Sequence, residues 1–241
     1  MKTYGQFCPV AKTAEIFAER WTPLIIRELC FGPRRFNELR AGLPQISRTL
    51  LSQRLRELEA AAVIRSTPKA SGLGRIYELT SAGEAFRPII ELMGAWSQRW
   101  GQARIGPDDL DPGLLMWSMR RQIRPEMMPA HQFVMQFEFV GVPKRAGCSR
   151  YWWLVLNRPE VDVCQKNPGY DVNVVIYADL RLFTQLWIGE LGLDMLRADN
   201  SLIMHGSEEA QRIATKVLDL KAQPSAKSFQ YQDVQIQAEA S

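Results

Sequence analysis

Five side chains fall on one side of one short helix: Arg48, Thr49, Ser52, Gln53 and Arg56. Wound at about 100° per residue, the stretch after Ser47 sends these five into one arc and Leu51, Leu55 and Leu58 into the opposite one. Two guanidinium groups, two hydroxyls and an amide, with no carboxylate at their centre, suit a surface that carries phosphates along its rim and hydrogen-bonding base edges in its floor. The major groove of duplex DNA is such a surface. The three leucines require a core behind them. Ser47 has the side chain of an N-cap, and Ile46 and Leu51 are spaced as a hydrophobic staple.

The other residues able to do chemistry argue against catalysis. Neither His131 nor His205 has a Cys, Ser or acid at the spacing of a triad or metal site, and neither GxSxG nor HExxH occurs. The GLGR tetrapeptide at residues 72–75 lacks the third glycine of a dinucleotide-binding loop. Cys8, Cys30, Cys148 and Cys164 are too sparse for a disulfide framework and form no CxxC pair, which favours a reducing compartment. The expectation is a non-enzyme with no catalytic residue, cofactor or metal.

The cationic arc needs elements that hold it out. Arg34 and Arg35 precede a short helix over Phe36–Arg40, and Gly42, Leu43 and Pro44 turn the chain into Ser47, so Phe36–Ile64 reads as two helices about a tight turn. Upstream, Val10, Ala14, Phe17 and Trp21 recur at helical spacing; Thr22 then Pro23 reads as a cap and first-turn proline for a helix to Cys30, stopped by Gly32 and Pro33. Downstream, Arg65–Thr67 and Arg75–Leu79 read as two strands of a wing, whose Pro/Ser/Gly-rich tip brings Lys69 and Arg75 toward the phosphate backbone. From Thr80 a last helix carries Phe86, Ile89, Ile90, Met93, Trp96 and Trp100 at steps of three or four. That stripe is larger than a domain of about 100 residues needs, so it is expected to pair two copies and present two recognition helices to a two-fold site. The expected DNA contacts are Arg35, Ser47, Arg48, Thr49, Ser52, Gln53, Arg56, Lys69 and Arg75.

Charge divides the chain in the same place. Residues 1–104 hold 16 Lys and Arg against 9 Asp and Glu, a net +7, whereas residues 105–241 hold 14 against 17, a net −3. A polyanion partner belongs to the first half alone. At 241 residues the chain is long enough for two cores. No segment offers the ~20 apolar residues of a membrane span and the N-terminus has no apolar signal core, so a cytoplasmic protein is expected.

The residues that carry these readings also carry a resemblance. CPV near the N-terminus, AERWTPLIIREL, RFNELRAGLPQISRTLLSQRLRELEAAAVI and YELTSAG together resemble the HxlR-type winged helix-turn-helix transcriptional regulators over residues 5–100. The resemblance implies a homodimer on an inverted-repeat operator, with the second helix of the motif in the major groove and the wing on the flanking backbone. One departure is Ala62, where these proteins commonly have glycine. Cys8 matches the cysteine that some of these regulators use to sense electrophiles or oxidants; a buried structural thiol is the other reading, since reactivity needs exposure and a depressed pKa.

Residues 101–112, GQARIGPDDLDP, read as the boundary between a DNA-binding and dimerisation domain over 1–104 and a second domain over 113–220, with a polar tail over 221–241 in which VQIQ could add an edge strand. The second domain is expected to hold a helix over Gly113–Ile123 and strands over Gln132–Val140, Arg150–Leu156, Val161–Cys164 and Asp171–Tyr177. A helix capped by Asp179 and ended by Gly189, a short helix, a strand over Ser201–His205 and a final helix complete it. VNVVIYADLRLFTQLWIGE and ADNSLIMHGSEEAQRIATKVLDL resemble sterol-carrier-protein-like domains. That resemblance implies an antiparallel sheet under helices, with an apolar cavity between them. Phe133, Phe137, Phe139, Trp152, Leu154, Phe183, Leu186, Trp187 and Met195 suit its wall, although periodicity alone cannot separate a cavity wall from a filled core.

The fold class expected is α+β: a winged helix-turn-helix domain with a long dimerisation helix, then an antiparallel-sheet domain with an apolar cavity. The function expected is a ligand-responsive regulator that binds operator DNA as a homodimer and senses a small hydrophobic molecule. Two alternatives stand beside it: control by thiol oxidation at Cys8, with the second domain a dimerisation or docking module, and a lipid carrier or enzyme accessory protein.

Overall fold

The computed structural model describes residues 3–68, 74–100, 105–144 and 148–221. These fall into two compact units, one within Met1–Gln102 and one within Ala103–Lys227. The polar tail, with its VQIQ stretch, lies outside the described residues.

The first unit runs α1 (Pro9–Phe17), α2 (Thr22–Leu29), β1 (Arg34–Arg35), α3 (Phe36–Gly42), α4 (Arg48–Ala60), β2 (Ile64–Pro68), β3 (Arg75–Leu79), α5 (Ser81–Glu84) and α6 (Arg87–Trp100). Its core gathers Ile25, Ile26 and Leu29 of α2, Leu39 of α3, Leu51, Leu55 and Leu58 of α4, and Val63, Leu79 and Ile90. Ile46 and Leu51 are both buried in that core, as a staple requires. Three features differ from the sequence reading. Thr22 does not cap α2: it is the first helical residue and is buried, while Trp21 takes the cap position with a left-handed backbone, φ 79°. A short strand, β1, pairs antiparallel with β3 through Arg34↔Tyr77 and Arg35↔Ile76; two residues are too few to show a period. The helix expected from Thr80 is two helices, because Pro88 cannot donate a backbone hydrogen bond to the preceding turn and the chain re-starts at Arg87.

The second unit runs α7 (Pro112–Gln122), β4 (Phe133–Val140), β5 (Tyr151–Asn157), β6 (Glu160–Cys164), β7 (Val174–Asp179), α8 (Leu180–Ile188), α9 (Leu193–Ala198), β8 (Leu202–Gly206) and α10 (Glu208–Val217). Side-chain caps fix the starts of three helices: Asp111 accepts from the Leu114 N–H, Asp179 from Leu182 and Ser207 from Ala210. Gly189 ends α8 at φ 85°, a conformation that favours glycine. The five strands lie in the order β6-β5-β4-β7-β8. The sheet is dominated by antiparallel pairs but is mixed, since β4 and β7 run parallel, with Phe137 opposite Ile176. Alternation along a strand fixes which face is buried but not the direction of its neighbour, so the all-antiparallel expectation missed this pairing. The main core gathers Phe133, Met135, Phe137 and Phe139 of β4 with residues of the helices, and a smaller cluster of Val134, Trp153 and Val155 packs separately.

Candidate nucleic-acid interface

The two sides of α4 are sorted as its spacing dictates. Ser47 Oγ accepts a hydrogen bond from the Leu50 N–H at 3.2 Å and so satisfies a donor of the first turn. Leu51, Leu55 and Leu58 are buried; Arg48, Thr49, Gln53 and Arg56 are exposed, and Ser52 is half-buried on the same side. No hydrogen bond or ion pair to another described residue engages Arg48 or Arg56. Gln53 differs, since its amide donates to Glu57 Oε1 at 2.9 Å.

The end of α4 is set by Ala62. Its backbone is left-handed, φ 56°, its N–H bonds the Glu59 carbonyl, and the Val63 N–H bonds the Leu58 carbonyl, both at 3.0 Å. This pair of bonds is a Schellman closure, and the position that departs from glycine is the one where glycine would be unstrained. Thr80 and Gly83 then join the wing to the reading helix. Thr80 Oγ1 donates to the Ala62 carbonyl at 2.6 Å and accepts from the Gly83 N–H at 3.2 Å. A Cβ on Gly83 would stand 2.1 Å from the Val63 carbonyl oxygen, so only glycine lets α5 sit this close.

The remaining predicted contacts are dispersed. Arg35 belongs to the wing side through β1, and its guanidinium is 3.2 Å from Glu38. Arg75 is exposed but is not a free tip residue: Nε donates to Ser66 Oγ at 2.5 Å and Nη2 to the Ser66 carbonyl at 3.1 Å. Lys69 lies outside the described residues.

Sequence reasoning missed two charged side chains that the fold draws inward, one on α2 and one on α4. Glu28 is completely buried, and its Oε1 accepts from Arg27 Nε at 3.2 Å and Nη2 at 2.7 Å. A Cβ on Gly42 would meet that carboxyl group at 2.3 Å. Arg27 and Glu28, a charged pair inside the apolar run LIIREL, were the available signal. The other missed charge is Arg54. Its side chain is only 13% exposed, with Nη2 at 2.6 Å from Glu19 and Nη1 at 2.5 Å from Glu57. It stands three residues after Leu51 and four before Leu58, at the inward spacing that the leucines use.

A family model described as HxlR-like helix-turn-helix matches residues 16–105. YvaP, an uncharacterized HTH-type transcriptional regulator of Bacillus subtilis (strain 168), is 37% identical over 109 residues, which are 44% of this chain and 97% of YvaP. The chain belongs to the HxlR-like helix-turn-helix family. A second relative from the same organism, the HTH-type transcriptional regulator YodB, is 35% identical over 95 residues, 39% of this chain and 85% of YodB. A solved structure described as quinone-bound YodB is 34% identical and covers 39% of this chain and 99% of that one, with a TM-score of 0.34.

In this HxlR-like chain the stripe from Phe86 to Trp100 is divided. Phe86 is half-buried, stacks on Phe17 at 4.9 Å and packs on the unit's core, and Ile90 is 8% exposed. Ile89, Met93, Trp96 and Trp100 are exposed, with the tryptophans at 64% and 62%, and Leu92 at 66% joins them although the sequence reading passed over it. Cys8 is half-buried at the N-cap of α1, free of any disulfide. Cys30 is buried, and burial pushes its thiol up to about 11.

The second unit of the HxlR-like chain brings eight of the nine expected ligand residues together. Phe133, Phe137, Phe139, Trp152, Leu154, Phe183, Leu186 and Trp187 share one buried core; Met195 is 59% exposed on α9 and is no wall residue. The aromatic rings fill the layer: Phe137 and Phe139 stack at 5.8 Å, and Phe183 meets them edge-on at 6.0 and 5.8 Å. An open depression of about 510 Å³ lies at the end of β4, lined by Phe139, Val140, Val142, Pro143, Lys144 and Arg150 among others. Of the nine residues, Phe139 alone lines it. Among the described residues no group of three or more His, Cys, Asp or Glu stands ready for a metal ion, and no helix is long and apolar enough to cross a membrane.

Proposed function

We propose that the chain is a DNA-binding transcriptional regulator that acts as a homodimer and receives its signal through its second unit. One observation carries the DNA reading: Arg48 and Arg56 stand exposed and unengaged by described residues on the side of α4 opposite its buried leucines. A helix so prepared can enter a major groove, with Arg48, Thr49, Ser52, Gln53 and Arg56 toward bases and phosphates and Ser47 at its first turn. Arg35, Arg75 and Lys69 serve the flanking backbone. Ile89, Leu92, Met93, Trp96 and Trp100 supply the apolar surface that a second copy covers. Sedimentation tests the pairing: Trp96→Glu should give a monomer where the native chain is a dimer, and a native monomer at micromolar concentration would refute it.

The signal in this reading is a small hydrophobic molecule. The open depression that reaches Phe139 at the edge of the aromatic core supports it. Ligand binding would shift DNA affinity by the ~1–3 kcal/mol typical of coupled sites. Mass spectrometry of small molecules that co-purify with the native protein tests it. An apolar species released in stoichiometric amount is expected, and an empty protein that also takes up no hydrophobic probe would refute it.

A second reading has a specific observation in its favour. YodB, 35% identical over 95 residues of this chain, has been solved with quinone bound, and Cys8 stands half-buried at the head of α1. In that reading Cys8 is the sensor and the second unit only docks or dimerises. Cys8→Ser separates the two: it abolishes a response to quinone or diamide in the thiol reading and leaves a response to a hydrophobic ligand intact.

A further inference from the structure

We infer that Arg54 is a positioning residue for DNA recognition, which fixes the attitude of α4 through Glu19 and so sets sequence discrimination rather than general DNA affinity. The inference rests on α4 being the recognition helix. Arg48, Arg54 and Arg56 carry the same charge within nine residues, yet the fold treats them oppositely: the outer two are exposed, and Arg54 is drawn inward.

Its guanidinium is held at both terminal nitrogens by different carboxylates. Nη1 meets Glu57, one turn along α4 itself, and Nη2 meets Glu19, which lies 35 residues earlier in the turn between α1 and α2. Nε is buried with no partner among the described residues. The Nη2–Glu19 contact at 2.6 Å ties α4 to the turn between α1 and α2, and the Nη1–Glu57 contact at 2.5 Å, within α4, holds the guanidinium in the orientation that reaches it. Glu57 is further held by Gln53, itself a residue of the outward face, so the inward clasp reaches the DNA-facing side through one acid.

The consequence follows from how the two kinds of DNA contact tolerate error. Base-edge hydrogen bonds require donors placed to within roughly 0.5 Å, whereas long cationic side chains reach phosphates from many helix attitudes. Loosening α4 should therefore degrade specific binding and spare the electrostatic part, which is read by the salt slope. A merely structural role would lower folding stability and both kinds of binding together.

The test uses the full-length protein, a 30-base-pair duplex that it selects from a random-sequence pool, and a scrambled duplex of the same composition. Glu19→Gln and Arg54→Met are each expected to cut the selected-to-scrambled affinity ratio at least tenfold. Scrambled binding and its salt slope should stay unchanged, and the double variant should be no worse than the weaker single one, as for two residues acting as a unit. Arg54→Lys, which keeps the charge but not the fork, should fall between. The inference is overturned if the ratio is unchanged in Glu19→Gln, or if both duplexes weaken in step with loss of folded protein on thermal unfolding. Native protein that enriches no duplex and binds neither at low salt would overturn the recognition-helix reading itself, a result distinguishable from failure of the clasp alone.

Discussion

The two units use their large and charged residues in opposite ways. In the first, side chains with strong chemistry face outward: Arg48 and Arg56 on α4, Trp96 and Trp100 on α6. In the second, the phenylalanines of the main core are turned inward, with Phe133, Phe137, Phe139 and Phe183 all less than 2% exposed and in ring contact or shared packing. A surface that leaves arginines unengaged and tryptophans uncovered forgoes stability in exchange for binding. A layer that packs three phenylalanine rings against one another gains stability, and it can admit a ligand only by rearranging. The difference leaves the exposed chemistry on the first unit and a filled core in the second.

The largest effect should come from breaking that filled core. Phe183→Ala removes the ring that meets both Phe137 and Phe139, and should cost the second unit about 3–5 kcal/mol. Denaturant unfolding would show it, and a loss under 1 kcal/mol would mean that the rings do not share a packed layer. The counterpart in the first unit is smaller and steric. Gly83→Ala drives a methyl group against the Val63 carbonyl and should cost about 1–3 kcal/mol, lost from the junction of wing and reading helix. Ala62→Gly should act the other way. Relieving a left-handed alanine at the end of α4 should raise the first unit's stability by about 1 kcal/mol, seen as a higher denaturation midpoint; no gain would mean that the Schellman turn is not strained.

The smallest effect is kinetic and concerns the thiols. Burial holds the Cys30 thiol near 11, so at pH 8 it is almost wholly protonated as well as inaccessible. Alkylation of the native protein with iodoacetamide should therefore mark Cys8 well before Cys30, with Cys30 reacting only on unfolding. Equal rates would remove the contrast between a half-exposed and a buried thiol.

How much of this was legible in the sequence differed by element. The leucine spacing of α4, Ser47 as its cap and the turn-forming tip between β2 and β3 name their own structures because each is a local pattern. Arg54 and Glu28 did not, although both sit at inward spacings, because a charge is read as exposed until its partner is known, and Glu19 is distant in sequence from Arg54. The split of the Phe86–Trp100 stripe was hidden for the same reason. Phe86 and Trp96 share a helical period, and only the stack of Phe86 on Phe17 separates core from surface. In the second unit, cavity wall and core have one signature, and the packing of Phe137, Phe139 and Phe183 is what distinguishes them.

The central claim is that the exposed arginines of α4 hold DNA, and the salt dependence of binding tests it most directly. Fluorescence anisotropy with a labelled duplex, from 50 to 300 mM salt, should give a log–log slope that becomes less steep by about one unit for Arg48→Ala and again for Arg56→Ala, with each variant binding more weakly. Duplex binding that is absent at low salt, or a slope and affinity that neither substitution changes, would contradict the account.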